Sequence, residues 1–121
     1  MKRCLIVDDS RIIRKVARKI LEAMDFEIDE AEDGTSALES CRRDMPAAIL
    51  LDANIPAEGS MEFLRALRGE DNGQEPIVLI LTSENNVAQI SEAVNAGANE
   101  YIMKPFDSGV IEAKFADVGL V

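Results

Sequence analysis

Five short apolar runs, each followed by a segment of helical length, constrain this chain more than any other feature of its sequence. The runs are Cys4-Leu5-Ile6-Val7, Glu27 to Ala31, Ala48-Ile49-Leu50-Leu51, Ile77 to Leu81 and Glu100 to Met103. Strands that alternate with helices pair in parallel, because each helix supplies the long crossover that a parallel pair requires. The first, third and fourth runs are continuously apolar, as strands covered on both faces should be. The second alternates Ile28 and Glu30 with Asp29 and Ala31 in an acid-rich stretch, which suits an edge strand.

The intervening segments carry helical spacing and boundary signals. Ile12, Ile13, Val16, Ala17, Ile20, Leu21 and Met24 recur at three- and four-residue intervals, with Ser10 placed to cap them. Thr35 to Arg43 predicts a second helix stopped before Pro46, and Ser60 to Arg68 a third ending at Gly69. Val87 to Ala96, closed by Gly97, and Ser108 to Val118, weakened early by Gly109, complete the set. Gly69 to Pro76 is the longest polar connection and is expected to be mobile. The 121 residues thus read as one (βα)5 α/β domain, large enough to bury about two-thirds of its unfolded surface without disulfides or structural metal.

Composition then removes whole classes of function. Thirteen basic residues against twenty-three acidic ones leave a formal charge of −10, the wrong sign for a general nucleic-acid binder. The chain has no histidine, which excludes Ser-His-Asp and Cys-His nucleophile pairs, histidine-ligated zinc and a phosphohistidine of its own. Cys4 and Cys41 are too few for a disulfide framework and read as buried or half-buried thiols, so a reducing cytoplasm is the expected location. The apolar runs are strand-sized, and no membrane segment is expected. The apolar run at the amino terminus meets Asp8 and Asp9 after four residues, so no secretory leader is expected.

In an open parallel sheet, ligands bind beyond the carboxyl ends of the strands, where the strand order reverses. Asp8, Asp9 and Ser10 follow the first strand, Asp52 and Asn54 the third, Thr82 and Ser83 the fourth, and Lys104-Pro105 the fifth. Any one of these aspartates is better read as a helix cap. Capping does not explain two successive aspartates after one buried strand, another after a second, and a lysine completing the same rim.

At these residues a resemblance appears. Asp8-Asp9, Leu50-Leu51-Asp52-Ala53-Asn54-Ile55-Pro56, Leu81-Thr82-Ser83 and Lys104-Pro105-Phe106 resemble, in order and spacing, the motifs of bacterial two-component response-regulator receiver domains of the chemotaxis type. The resemblance covers essentially the whole chain, so residues 1–121 are expected to be a receiver domain with no output domain. It implies a flavodoxin-like three-layer sandwich with a parallel five-stranded sheet in the order 2-1-3-4-5.

The resemblance also implies roles. Asp52 would accept a phosphoryl group. Asp9 and Asp52, with Asp8 acting partly through water and Asn54 through its backbone carbonyl, would hold Mg²⁺, a cation that prefers hard oxygen donors. Lys104, aimed by a cis bond to Pro105, would contact the phosphoryl oxygens, and Thr82 would donate its hydroxyl to one of them. Ser83 matches the small residue that keeps the pocket open, and Tyr101 the aromatic switch. Read without the resemblance, Tyr101 is a half-buried strand residue. Such a domain is a signalling protein, not an enzyme with a separate substrate.

The chain departs from the family just after Pro56, where Gly59-Ser60, preceded by Glu58, replaces the frequent Asp-Gly. Ser60 is still able to cap the next helix. Arg11, Arg14, Lys15, Arg18 and Lys19 place five basic residues on the first helix. They read as its solvated face, and the resemblance makes that face a docking surface for a histidine-bearing donor.

The implied partners are a histidine kinase or histidine phosphotransfer protein as donor and a protein target downstream, with neither nucleic acid nor membrane. Two outputs compete: a diffusible chemotaxis-type regulator, and a phosphorelay intermediate that passes its phosphate to a second histidine. An aspartyl phosphatase of the dehalogenase type also uses an aspartate with Mg²⁺, but it needs Asp-x-Asp where this chain has Asp8-Asp9-Ser10. A flavin module would need a Ser/Thr- and Gly-rich phosphate loop after the first strand, which this sequence lacks.

Overall fold

The computed structural model describes residues 1–55, 59–83 and 87–121; Pro56 and Glu58, singled out above, lie outside the described residues. The elements alternate as β1 (Arg3–Val7), α1 (Arg11–Ala23), β2 (Glu27–Ala31), α2 (Gly34–Arg43), β3 (Ala48–Asp52), α3 (Ser60–Arg68), β4 (Ile77–Thr82), α4 (Val87–Ala96), β5 (Glu100–Met103) and α5 (Ser108–Asp117). All strand pairs are parallel, in the order 2-1-3-4-5. This is the flavodoxin-like sheet expected from the sequence, with acid-rich β2 on one edge.

The two-residue period of the strands divides the core into two layers. From β3, Ile49 and Leu51 face one side, where they meet Ala37 and Cys41 of α2, Phe63, Leu64 and Leu67 of α3, and Ala93 of α4. Ala48 and Leu50 face the other, against Ala17 and Leu21 of α1 and Ile111 and Phe115 of α5. Phe26 closes that second layer with its ring edge-on to Phe115, centroids 5.4 Å apart. Chain reversal falls between β1 and β3, because the chain first adds β2 on one side of β1 and then crosses to the other. The carboxyl ends of β1 and β3 therefore flank the crevice at the switch point.

The structure corrects one local expectation, at Ser60, and adds detail at α1 and at the connection 69–76. The seven apolar residues at helical spacing, six in α1 and Met24 at its C-cap, span too wide an arc for one buried face. Ala17 and Leu21 are buried and Ile13, Ile20 and Met24 half-buried, while Ile12 is 74% and Val16 44% exposed. Ser60 is not the cap of α3. Gly59, at φ 80°, takes that position without a side-chain cap, and the buried Ser60 hydroxyl instead donates to the Asp52 carbonyl. The polar connection 69–76, expected to be mobile, is held by Arg68. Its guanidinium donates to the carbonyls of Gly73 and Pro76, each at 2.9 Å, and to the Gly97 carbonyl at 2.7 Å. Ser10 does cap α1, accepting from the Ile13 N–H, and the Lys104-Pro105 bond is cis. Among the described residues, no helix is long and apolar enough to cross a membrane.

Both thiols are buried. Burial pushes Cys4 up to about 12, against the lowering effect of its hydrogen bond with the Leu50 backbone. Burial, and then the charge of Glu70, pushes Cys41 up to about 11. The thiolate is the reactive form, so neither cysteine should be alkylated by iodoacetamide at pH 8 in the folded chain. Both should react after unfolding in guanidinium, and modification of either in native protein, read by mass, would contradict this packing.

Candidate functional site

The residues that end β1, β3, β4 and β5 meet on one rim. Asp8 is buried at the end of β1, and both its oxygens are engaged. One accepts the Ser10 backbone N–H at 2.9 Å, and the other accepts the Lys104 ammonium at 2.9 Å. Asp52, the last residue of β3 and also buried, accepts the same ammonium at 3.3 Å and the Asn54 backbone N–H at 3.3 Å. Strand pairing makes this possible: the Lys104 N–H donates to the Thr82 carbonyl at 2.7 Å, extending the β4–β5 ladder to the rim.

Asp9 completes a triad. Asp8, Asp9 and Asp52 each present an oxygen within 4.8 Å of the others, with Asp9 exposed and the other two buried. Two full charges at that separation repel by about 3 kcal/mol at an effective dielectric of about 20. Burial, and then the charge of Asp8, raises the Asp52 carboxyl above the ordinary carboxylate range, more than Lys104 and the Asn54 N–H lower it. Burial opposes the charge on Lys104, but its hydrogen bond to Asp8 and the charges of Asp52 and Asp8 outweigh that and raise it. One ammonium is thus shared by an anionic cluster it does not neutralise. An all-oxygen donor set that is partly open to water fits a hard divalent cation that keeps some of its own waters.

Thr82, at the end of β4, is buried, and its hydroxyl donates to Gln89 Oε1 on α4 at 3.3 Å. The Gln89 amide in turn reaches Asn54 Oδ1 at 3.5 Å. Sequence reasoning missed Gln89, because nothing in its local pattern marks it; only the placement of α4 brings it to the rim. The sequence matches the response regulator receiver domain over residues 4–116. The chain belongs to that family.

Other receivers and response regulators give scale to the match. Response regulator MprA of Mycobacterium tuberculosis is 36% identical over 104 residues, which are 86% of this chain and 44% of that protein. The chain therefore spans less than half the length of the curated relatives it matches. Chemotaxis response regulator CheY4 of Vibrio cholerae superposes with a TM-score of 0.92 at 29% identity, covering 98% of each chain. The receiver domain of a sensor histidine kinase from Pseudomonas aeruginosa, solved with magnesium coordinated in its active-site cleft, shares the fold. Its TM-score is 0.87 at 24% identity, over 96% of this chain and 95% of that one.

Two further parts of this receiver were read from its sequence. Tyr101 on β5 is half-buried against the core, and the Lys114 ammonium lies 4.4 Å from its ring centroid. Lys114 also pairs with Glu100 at 3.3 Å, so the ring is covered by a cation anchored on its own strand. Ser83 is exposed beside Thr82. On α1, Arg14 and Arg18 are not free solvated charges. Both pair with Glu30 of β2, at 2.8 and 2.7 Å, and Arg14 donates to the Asp8 carbonyl at 2.7 Å. Burial pushes Glu30 up, but the hydrogen bonds from Arg18 and Arg14 outweigh it and hold the carboxyl below its usual range. Arg11, Lys15 and Lys19 stay exposed beside Ile12 and Val16.

The shared ammonium sets two stability changes of opposite sign, both measured by thermal melting in chelator. Lys104→Met should destabilise by about 2–3 kcal/mol, since it strands two buried carboxylates whose repulsion solvent relieves only partly. Asp52→Asn should raise the melting temperature by about 3–6 °C, because it removes one of the crowded charges. The same sign follows from linkage: a carboxyl raised on folding costs stability when ionised, and that cost fades as pH falls through its folded-state range. If both variants move the midpoint in the same direction, Lys104 is not the ion that balances this cluster.

Proposed function

We propose that Asp52 is the phosphoacceptor of this receiver, taking a phosphoryl group from a partner's phosphohistidine. Receiver domains accept phosphate from histidine kinases, and these 121 residues carry no histidine, so the donor imidazole lies outside the receiver domain itself. The observation that carries the assignment is the Asp52 carboxylate at the end of a buried central strand, in contact with Lys104 and crowded by Asp8 and Asp9. In the transfer, an Asp52 oxygen forms a bond to phosphorus as the P–N bond of the donor breaks, and its electron pair returns to the ring nitrogen.

A carboxylate is a weak nucleophile towards an anionic phosphoryl group, so the reaction depends on fixed positive charge and donors around the equatorial oxygens. Lys104 is already within 3.3 Å of Asp52 and follows the transferred oxygens as a mobile ammonium. Thr82 supplies a hydroxyl to one of those oxygens. Asp8, Asp9 and Asp52, with the Asn54 carbonyl, would hold Mg²⁺, which supplies charge neutralisation at the phosphoryl oxygens when bound. Asp8, pinned by Ser10 and Lys104, keeps the cluster anionic without itself being free to react.

The docking face for the donor is the exposed part of α1. Ile12 and Val16 present apolar surface beside Arg11, Lys15 and Lys19, next to the rim. Apolar contact ringed by positive charge suits a helical partner with an acidic border. The output is of the chemotaxis type, by contact with a protein target. That reading is supported by the similarity to the Vibrio cholerae chemotaxis regulator, at a TM-score of 0.92 and 29% identity.

Incubation with acetyl phosphate and Mg²⁺ should add one phosphoryl group by intact mass, and neither the Asp52→Asn nor the Asp9→Ala variant should gain it. Phosphate mapped to Ser10 or Thr82 in the wild type would defeat the assignment. The switch can be followed separately, because Tyr101 is the only tyrosine and the chain has no tryptophan. Burying half of its side chain gains roughly 1–2 kcal/mol, comparable to the gap between two receiver states. Beryllofluoride with Mg²⁺, a phosphoryl mimic on Asp52, should therefore shield Tyr101 from acrylamide quenching, and Thr82→Ala should weaken that shielding. Identical quenching with and without the mimic would remove Tyr101 from the switch.

A further inference from the structure

The first turn of α4 reaches the rim through Gln89. Gln89 accepts the Thr82 hydroxyl proton on Oε1 at 3.3 Å, and its amide nitrogen lies 3.5 Å from Asn54 Oδ1. Asn54 is itself tied to Asp52, whose Oδ1 accepts its backbone N–H. Gln89 therefore spans the ends of β4 and β3, the two strands that bring Thr82 and Asp52 to the rim.

We propose that Gln89 is a positioning residue that competes with the phosphoryl group for the Thr82 hydroxyl and so couples α4 to the occupancy of Asp52. The inference rests on the reading of Asp52 as phosphoacceptor. A hydroxyl has a single proton to donate. In the unmodified chain the hydroxyl lies 3.3 Å from a neutral amide oxygen on α4, to which it donates; the chemistry of the site needs it on a phosphoryl oxygen. A charged acceptor binds such a proton roughly twice as strongly as a neutral one, so phosphorylation draws the hydroxyl from Gln89. The first turn of α4 then loses a tie to the sheet at the moment the site fills. Gln89 thus holds back phosphoryl binding and reports it to α4.

Beryllofluoride binding in saturating Mg²⁺, titrated by fluorine NMR, tests this without any turnover. Gln89→Met keeps the length and helix propensity of the side chain but cannot accept the proton in the same way. It should bind beryllofluoride about three- to tenfold more tightly than the wild type, the range expected for one competing hydrogen bond. Gln89→Ala should do the same. In a Thr82→Ala background both gains should disappear, because no hydroxyl is left to contest. Mg²⁺ affinity should be unchanged by Gln89→Met, a result that a general loosening of the rim would not give.

If Gln89→Met and Gln89→Ala bind as the wild type does, or if their gain survives in Thr82→Ala, the coupling is overturned while the Asp52 assignment stands. If wild-type protein fails to bind beryllofluoride at all, the Asp52 assignment fails and takes this inference with it.

Discussion

The Lys104 ammonium touches two carboxylates that arrive from strands far apart in the chain, Asp8 from β1 and Asp52 from β3. The geometry of the rim follows from that contact. A lysine from β5 can reach Asp8, 96 residues earlier, only because the sheet order sets β1 and β3 side by side and brings β5 in beyond β4. The electrostatics follow as well. One cation among three acids leaves an excess of negative charge at a place where two of those acids are buried. Such a cluster is stable in the fold and short of positive charge, which is the condition under which a divalent cation or a cationic partner is taken up.

Much of this was legible in the sequence. The alternation of short runs with helices located all five strands; β1, β3 and β4 were plainest, because a strand buried on both faces must be apolar and polar chemistry can begin only where it ends. That rule also picked out Asp8, Asp9, Asp52, Thr82 and Lys104, which the structure brings together. What the sequence hid depends on orientations that no local pattern encodes. Helical spacing showed that α1 is amphipathic, but not which of seven apolar residues would fall outside the buried arc, as Ile12 and Val16 do. Counting charges on α1 could not show that Glu30 of β2 would engage Arg14 and Arg18.

Ser60 was misread for a related reason. A serine at the start of a helix is a good cap by type, yet Gly59 can adopt φ 80° and take the capping position one residue earlier. That frees the Ser60 hydroxyl to bind the Asp52 carbonyl and fasten α3 to the end of β3. Gly59-Ser60, standing where the family frequently has Asp-Gly, therefore makes a junction beside Asp52 through the Ser60 hydroxyl. Gln89 is the extreme case, since its part in the rim exists only once α4 has been packed.

The Arg68 clamp has a mechanical consequence. By holding the Gly97 carbonyl together with those of Gly73 and Pro76, it fixes the carboxyl end of α4 to the end of the molecule opposite the rim. The amino end of α4 meets the rim through Gln89. A rod anchored at one end is a lever with its fulcrum at the anchor. The ten residues of α4 are about 15 Å long, so a rotation of roughly 4° about Gly97 carries the first turn through about 1 Å. A shift of one hydroxyl at the rim can thereby be carried to the outer surface of the helix, largest at the exposed Val87 and smaller at the exposed Val94, while the anchored end stays still.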